Sequence, residues 1–268
     1  MAIPIPRALD VDLSTVPRHW LAGNAVGTAI ANGVNMLFPH GERFFVRSVK
    51  HFLAEIDDPE LRAQIKGFFG QEGRHAHAHD VFNAVLRAHG FAIDGFLARY
   101  AAISSWIEQR VPAKLNLAGT AAAEHFTAIL AEGAFSNGIL DALDPRMQQL
   151  LAWHAAEEIE HKAVAYDVLQ QIDPSYALRI AGLAYATLML AGFWAWATAM
   201  LLRQEKLGAR GIVRELGRMR RQDPVIRRVF TAGIRQYLRR EFHPRDNADD
   251  QLAATWFAAR GLTMPAAA

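Results

Sequence analysis

Two segments of the chain place a glutamate three residues before a histidine: Glu72 before His75, and Glu158 before His161. Residues three apart lie on one face of an α-helix, so the carboxylate and imidazole of each segment can reach the same metal ion. A single pair at this spacing often arises by chance. Two pairs on long apolar helices are what a two-metal carboxylate bundle contains, and they predict such a centre.

A centre of this kind takes one further glutamate from each of two other helices. Height along the bundle selects the first of them. A hairpin of two helices is expected to turn near Asp58, and Glu42 precedes this turn by nearly the same length of chain as Glu72 follows it. At a rise of about 1.5 Å per residue, the two carboxylates reach nearly the same level.

A second predicted hairpin gives the same result. Glu124 precedes Gly138, at the predicted turn, by as much chain as separates Asp144 from Glu158 on the other helix. The two carboxylates again share one level, whereas Glu55 lies beside a turn and fails this test. The predicted metal ligands are therefore Glu42, Glu72, His75, Glu124, Glu158 and His161.

The types of ligand restrict the metal. The chain has no cysteine, which excludes thiolate zinc sites and thiol catalysis. Four carboxylates and two imidazoles offset much of the charge of two divalent ions, and oxygen and nitrogen ligands suit iron or manganese. We expect two metal ions, with iron as the first choice and manganese or zinc as alternatives.

Two more histidines lie one helical turn from the motifs. His79 follows the first motif and His154 precedes the second, so both can face the core beside the metals. We take them as candidate catalytic proton donors. The alternatives are an additional metal ligand, a hydrogen-bond partner of a ligand, or an ordinary core histidine. Glu157 and Glu160 flank the second motif and are expected to face solvent or to pair with a basic side chain.

The elements that must position these residues are helices, because no segment alternates strictly enough to indicate a strand. Asp-Pro pairs at 58–59, 144–145, 173–174 and 223–224 each predict a helix start, since the aspartate caps free amides and proline has none to lose. The fold class is all-α. The predicted helices cover about 39–56, 59–89, 95–109 (a connecting helix), 112–135, 145–172, a long helix from 174, and basic helices near 208–220 and 224–241. The chain then divides into an N-terminal extension (1–36), a metal-binding four-helix bundle (37–173) and a C-terminal part (174–268) within one domain or as an extension.

Residues 180–202 form an apolar run without a charged side chain, which is long enough to span a bilayer. Basic residues follow it at Arg203, Lys206, Arg210 and Arg214. The run has three interpretations: a fully buried helix, a helix that inserts into or lies on a membrane, or an interface in a homodimer. Each leaves an apolar route to the metals, which favours an apolar substrate.

Overall charge and the N-terminal sequence set the expected location. The net charge of +2 is too small to indicate a nucleic-acid partner. The N-terminal segment contains no long apolar stretch, so no secretory signal is expected. The expectation is a cytoplasmic protein, with attachment to the inner membrane as the alternative.

Three segments carry a resemblance to a known family: Phe38–Phe45, Gln71–His79 and Trp153–Lys162. They resemble the bacterial family described as predicted metal-dependent hydrolase, which is similar to a branch of the ferritin-like superfamily. The resemblance covers about residues 15–245 and implies a ferritin-like metal-binding four-helix bundle. In similar di-iron bundles, the same six ligand types activate dioxygen.

Three functions are consistent with these observations. The first is a non-haem di-iron enzyme that uses dioxygen and an electron donor to oxidise a small apolar molecule. The second is a metal-dependent hydrolase in which two metals activate a bridging water, with His79 or His154 as proton shuttle. The third is a non-enzymatic bundle that binds or stores metal.

Overall fold

The computed structural model describes residues 3–222 and 225–262. Within these ranges the regular secondary structure is helical, apart from an isolated bridge between Leu21 and Leu143. The all-α class is therefore confirmed. The α-helices are α1 (Ala25–Asn35), α2 (Phe38–Lys50), α3 (Pro59–Ala88), α4 (Asp94–Glu108), α5 (Ala113–Ser136), α6 (Pro145–His161), α7 (Val164–Ile172), α8 (Tyr176–Gln204), α9 (Ala209–Gln222), α10 (Val225–Tyr237) and α11 (Asp250–Ala258).

Two of the four Asp-Pro pairs mark helix starts as predicted. Asp58 and Asp144 each accept a hydrogen bond from the backbone amide two residues later, at 2.8 and 3.0 Å, and each is followed by a proline in the first turn. After Asp173 the helix begins two residues later than predicted, because Ser175 is the residue whose side chain caps α8. The pair Asp223-Pro224 lies outside the described residues.

Four helical segments surround the predicted ligands. Helix α2 contacts α3 and α5, and α6 contacts α3 and α5 as well. On α3, an apolar cluster around Phe68 precedes the ligands and another around Phe82 follows them; on α6 and α7 the order is reversed, from Trp153 to Val168. The polar ligands therefore lie between two apolar clusters that exclude water from both ends. The ferritin-like relationship itself stays a prediction.

Two predicted helices are shorter than expected. The helix predicted over 145–172 is divided between α6 and α7, where Lys162 is buried and its Nζ binds Asp249 and the backbone carbonyl of Asn247. This contact links the residue between α6 and α7 to a segment far away in the sequence. The helix predicted over 39–56 ends at Lys50, and a short 3-10 turn at Leu53–Glu55 follows it.

The region 1–36, predicted as an extension, contains α1. Its sequence includes two glycines and two asparagines, which are poor helix formers, so local preference does not indicate a helix. Contacts with α8 stabilise it instead. The backbone of Gly33 lies against Thr198, and Trp194 Nε1 donates to the Ile30 carbonyl at 2.7 Å. The division of the chain at residue 36 stays a prediction, but the contacts of residues 1–36 join this region to the bundle.

Helix α8 packs on the bundle through one face. A Cβ at Gly182 would lie 2.4 Å from the Ala118 backbone, which shows how closely α8 and α5 approach. The helix is long and apolar enough to cross a membrane, yet 22% of its most apolar window is buried, and Leu188 is 74% exposed. The interpretation of 180–202 as a fully buried helix is therefore wrong. Core helices of soluble proteins can have the same length and composition, so membrane contact and a dimer interface stay predictions.

Candidate metal centre

The six predicted ligands converge in the middle of the bundle. Helix α2 contributes one carboxylate, α3 a carboxylate and an imidazole, α5 one carboxylate, and α6 a carboxylate and an imidazole. All six side chains belong to buried residues, with at most 3% exposed: Glu42, Glu72, His75, Glu124, Glu158 and His161. The structure thus brings the predicted set together, and their role as metal ligands stays a prediction.

One group of donor atoms surrounds the imidazole of His161. Its Nε2 lies 3.1 Å from Glu124 Oε2, 3.2 Å from Glu72 Oε1 and 3.5 Å from Glu158 Oε2. Donor atoms of Glu72, Glu124 and His161 all lie within 4.8 Å of one another, which is the spacing of ligands around one ion. We call this group the His161 side.

A second group surrounds the imidazole of His75. Its Nδ1 lies 3.6 Å from Glu72 Oε1 and 3.5 Å from Glu158 Oε1, and Glu42 joins Glu72 and His75 within 4.8 Å. We call this group the His75 side. Glu72 and Glu158 lie near both imidazoles, so each has carboxylate oxygens beside both groups of donor atoms.

The atoms that face the centre lack hydrogen bonds. Both carboxylate oxygens of Glu42, Glu72 and Glu124 make none, and neither do one oxygen of Glu158, His75 Nδ1 and His161 Nε2. A buried carboxylate without a partner costs several kcal/mol. These atoms without hydrogen bonds are the ones that would bind metal, so the donor set fits metal ions.

The opposite nitrogen of each imidazole is held by a side chain from the other motif helix. His75 Nε2 lies 3.0 Å from Glu157 Oε2 of α6, and His161 Nδ1 lies 2.8 Å from Gln71 Oε1 of α3. Such acceptors orient a metal-binding imidazole and direct its free lone pair at the metal. Of the two environments expected for Glu157, solvent or a basic partner, burial excludes solvent, since the residue is fully buried.

The N-terminal segment covers this outer layer. Arg7 binds Glu160 through two guanidinium nitrogens at 2.8 and 2.9 Å, and its backbone amide donates to Glu157 at 2.9 Å. The predicted pairing with a basic side chain is therefore correct for both glutamates, because Arg7 Nη1 also lies 3.5 Å from Glu157. A residue in the predicted extension thus fixes the hydrogen-bond partner of His75.

Sequence reasoning identified neither Gln71 nor Glu157 as an imidazole partner, although a signal was present. Both motifs are longer than Glu-x-x-His: each has a side chain with an acceptor oxygen directly before its glutamate, in Gln71-Glu72 and in Glu157-Glu158. The crossed pairing, in which each acceptor serves the imidazole of the other helix, depends on how α3 and α6 pack and is not visible in either segment.

His79 and His154 form a hydrogen-bonded chain that ends at the cluster. Asn35 Oδ1 lies 2.6 Å from His79 Nδ1, His79 Nε2 lies 2.6 Å from His154 Nδ1, and His154 Nε2 lies 2.7 Å from Glu158 Oε1. If the asparagine oxygen accepts from His79, then His79 accepts from His154, and the 2.7 Å contact between His154 Nε2 and Glu158 Oε1 needs a proton between two acceptors. Metal binding to Glu158 would displace this proton and leave the lone pair of His154 Nε2 facing the cluster. That nitrogen, 3.6 Å from Glu42 Oε1, is suited to accept a proton or to act as a third imidazole ligand.

Comparison with known proteins agrees with the metal centre. Residues 5–248 match the family model described as predicted metal-dependent hydrolase. The chain belongs to this family. No curated protein and no solved structure gives a significant match. Membership in a metal-dependent hydrolase family, together with buried groups of glutamate and histidine, supports metal ions as the cofactors.

Burial and mutual repulsion shift the acid groups of this member of the metal-dependent hydrolase family. Burial, with the charge of Glu72, raises the pKa of Glu42 well above its usual range and that of Glu124 to about 8. Burial would also raise the pKa of Glu158, but histidines led by His161 hold it well below the usual range. Without metal, several buried carboxylates therefore keep protons, and metal binding must displace them.

The pKa values of the two hydrogen-bonded histidines, His79 and His154, shift in the opposite direction. Burial lowers the pKa of His79 well below its usual range and that of His154 to about 4, and neighbouring imidazoles add to both shifts. These shifts favour the neutral form of both imidazole rings.

Proposed function

We propose that the chain is a two-metal enzyme that hydrolyses a small, largely apolar molecule. The observation that carries the proposal is the set of buried donor atoms without hydrogen bonds, which fall into two groups that share Glu72 and Glu158. The description of the family supports hydrolysis as the reaction. When bound, two metal ions would polarise the scissile group and lower the pKa of a water molecule between them.

The residues of the chain have distinct tasks in this proposal. Glu72 and Glu158 would contribute ligands to both ions, Glu124 and His161 to one of them, and Glu42 and His75 to the other. The remaining task is proton transfer. His154 Nε2 faces the cluster and can take a proton from the attacking water, while its Nδ1–H points to His79 Nε2, 2.6 Å away.

A second candidate is oxidation of a small apolar molecule by a di-iron centre. Two observations favour it. Four carboxylates with two imidazoles suit iron. A cavity that Glu42 lines, between α1, α2, α4, α5 and α8, has a wall of mainly apolar side chains. Such a wall offers few groups to hold a scissile polar bond. This reaction would use dioxygen and an electron donor, and it would employ the same six ligands.

Metal substitution and removal of oxygen distinguish the candidates. Protein purified from iron-supplemented cells is analysed for metal per chain and then reloaded with iron, manganese or zinc. Hydrolysis predicts two ions per chain and turnover of small apolar esters that is unchanged in an anaerobic chamber. Oxidation predicts activity with iron alone, oxygen consumption, and an absorption band that a reductant bleaches and air restores.

The number of ions also tests the non-enzymatic alternative. A storage bundle predicts many iron atoms per chain rather than two, and a structural bundle predicts two ions with no turnover of esters and no oxygen consumption. Absence of bound metal after reloading would contradict all three.

The remaining partners are proposals as well. The exposed face of α8 includes Leu188 and is followed by Arg203, Arg210 and Arg214, a combination suited to an anionic membrane surface or to a second copy of the chain. Sedimentation with anionic vesicles tests the first, and the molecular mass in solution tests the second. We propose a cytoplasmic location, at the membrane surface if vesicles bind.

A further inference from the structure

A cavity of about 130 Å³ lies beside the metal centre, among α1, α2, α4, α5 and α8. Its wall includes Phe38 and Phe45 of α2, Phe126 of α5 and Phe193 of α8. Among the six proposed ligands, Glu42 is the one that lines it. The side chain of Glu42 therefore forms a wall shared by the cavity and the metal centre.

The polar side chains of this wall have other partners. The hydroxyls of Tyr100, Ser104 and Thr127 donate to backbone carbonyls at 3.2, 2.6 and 2.9 Å, and that of Tyr185 donates to a side-chain amide at 3.3 Å. His40 Nε2 has no hydrogen bond, but it is buried away from open space. Glu108, which also lines the cavity, binds Arg47. Apart from the Glu42 carboxylate, a molecule in the cavity thus meets mainly apolar surfaces.

The size of the cavity indicates what fits. An engineered cavity of about 150 Å³ with an apolar lining stays dry and binds benzene. The cavity beside Glu42 is close to that volume, so it accommodates about one aromatic ring or a short aliphatic chain. Small residues help to create the space, since a Cβ on Gly41 would meet no heavy atom closer than the Tyr100 hydroxyl at 3.7 Å.

A second cavity shows why the first is the better site. It is larger, at about 330 Å³, but charged side chains line it, among them Lys162, Arg245 and Asp250, and none of the six proposed ligands does. An apolar molecule there would desolvate charged side chains without a compensating hydrogen bond and would lie away from the proposed ligands. The cavity beside Glu42 combines an apolar wall with a proposed ligand.

We infer that the cavity beside Glu42 binds the apolar part of the substrate, an aromatic ring or a short aliphatic chain, and directs the reacting group toward the His75 side. The inference rests on the proposed two-metal function, and it applies equally to hydrolysis and to oxidation. It assigns specificity to the cavity wall and not to hydrogen bonds.

Binding of fluorobenzene to the metal-loaded protein, followed by fluorine NMR, tests the inference. We expect saturable binding of one molecule per chain. Met189 lines the cavity and its neighbour Leu188 is 74% exposed on the same helix, so Met189→Trp and Leu188→Trp form a matched pair. Filling the cavity should weaken binding by about tenfold or more, while Leu188→Trp should leave it unchanged.

A cobalt(II)-loaded sample tests the link to the metals, because fluorobenzene should change its visible absorption through the shared Glu42 wall. Circular dichroism and metal content check that each variant folds, and Gly41→Leu replaces Met189→Trp if the latter does not.

Each contrary result has its own meaning. Two metals per chain without saturable binding would overturn the inference and leave the two-metal function standing. Equal binding by Met189→Trp and Leu188→Trp would overturn it too, since fluorobenzene would then lie elsewhere. An unchanged cobalt spectrum would remove the link to the metals. Saturable binding by a protein that takes up no metal would overturn the proposed function, and with it the role of the cavity as a substrate site.

Discussion

The two sides of the metal centre have the same ligand types but different surroundings. On the His161 side, the imidazole packs against Phe68 with ring centres 5.1 Å apart, and neither cavity is lined by Glu124 or His161. On the His75 side, Glu42 borders the apolar cavity, and His154 stacks on His75 with ring centres 4.1 Å apart. We propose from this difference that the two sides have different roles. The His161 side retains metal, and the His75 side binds substrate and transfers protons.

Loss of a shared ligand should have the largest effect, because it disturbs both sides. Glu158→Ala is expected to remove both ions and to lower the melting temperature of the protein as purified. If the metals contribute about 4 kcal/mol at a metal concentration 1,000 times Kd, the melting temperature falls by roughly 10 °C. Elemental analysis and thermal unfolding measure the two effects.

The control for this variant is Glu132→Ala, a half-buried glutamate on α5 outside the cluster. It should keep both ions. Unchanged metal content in Glu158→Ala would mean that the ligand set is wrong, and the comparison of two sides would then have no basis.

Separate damage to each side should have the next largest effect. Glu124→Gln is expected to lower the affinity for the ion on the His161 side by about 100-fold. Glu42→Gln is expected to lower the affinity for the ion on the His75 side by the same factor. This loss lies at the upper end of what removing a hydrogen-bond partner of a ligand costs. About one ion per chain should remain after desalting in either variant. The response of the cobalt spectrum to fluorobenzene should disappear in Glu42→Gln alone. Loss of both ions from both variants would show that the two sides act as one unit.

The sequence predicts the features of this centre that depend on local spacing. Helix periodicity aligns Glu72 with His75, and Glu158 with His161, and capping by Asp58 and Asp144 sets the starts of the two motif helices. Because these signals act within a few residues, the all-α class and the convergence of six side chains could be predicted before any tertiary contact was known.

Features that depend on distant contacts could not be predicted in this way. Helix α1 is stabilised by α8, 164 residues away at the Trp194 contact with Ile30, and the division after α6 coincides with the contact of Lys162 with Asp249. The cavity beside Glu42 is likewise formed by five separate helices, since Val34 of α1 also lines it. No periodic pattern in one segment reports the space that is left among several.

Substitution of the side chains that accept hydrogen bonds from His75 and His161 should have a smaller effect on metal affinity. These acceptors differ between the two sides. His75 is held by a carboxylate, Glu157, and His161 by a neutral amide, Gln71. Removal of such a partner costs about 10–100-fold in metal affinity. Glu157→Ala should fall in this range, measured by competition with a zinc chelator, and Glu157→Gln should cost less because its amide oxygen can still accept the hydrogen bond.

This series tests whether the charged acceptor matters. If Glu157→Gln weakens zinc binding as much as Glu157→Ala, then the negative charge on the His75 side, and not the orientation of the imidazole, is what the partner supplies. Equal affinity in all three proteins would show that the surroundings of the imidazoles are unimportant for metal binding.

The smallest expected effect is a pH dependence confined to the metal-free protein. Burial and neighbouring charge raise the pKa of Glu124 to about 8 in the folded state, against 4.5 for the usual group. Between these values the folded chain holds a proton that the unfolded chain has released, so stability falls as pH rises. The raised pKa of Glu42 acts in the same direction. The lowered pKa values of His79 and His154 act in the opposite direction up to the usual histidine pKa of 6.5, so they offset the loss at lower pH. The melting temperature of chelator-treated protein should therefore decrease mainly between about pH 6.5 and about pH 8, by a few degrees.

Two comparisons make this dependence specific to the centre. With both metals bound the decrease should be absent, because the ions have already displaced the protons. In metal-free Glu124→Gln the decrease should be smaller than in the unaltered chain, since glutamine has no proton to lose, while Glu132→Ala should retain it. If Glu42→Gln flattens the curve more than Glu124→Gln, the His75 side is the one that holds its proton more firmly, and metal entering there must displace it against the larger shift. A curve that is flat in the metal-free protein would mean that the buried carboxylates have partners other than protons and metals, and the difference between the two sides would have to be sought in those partners.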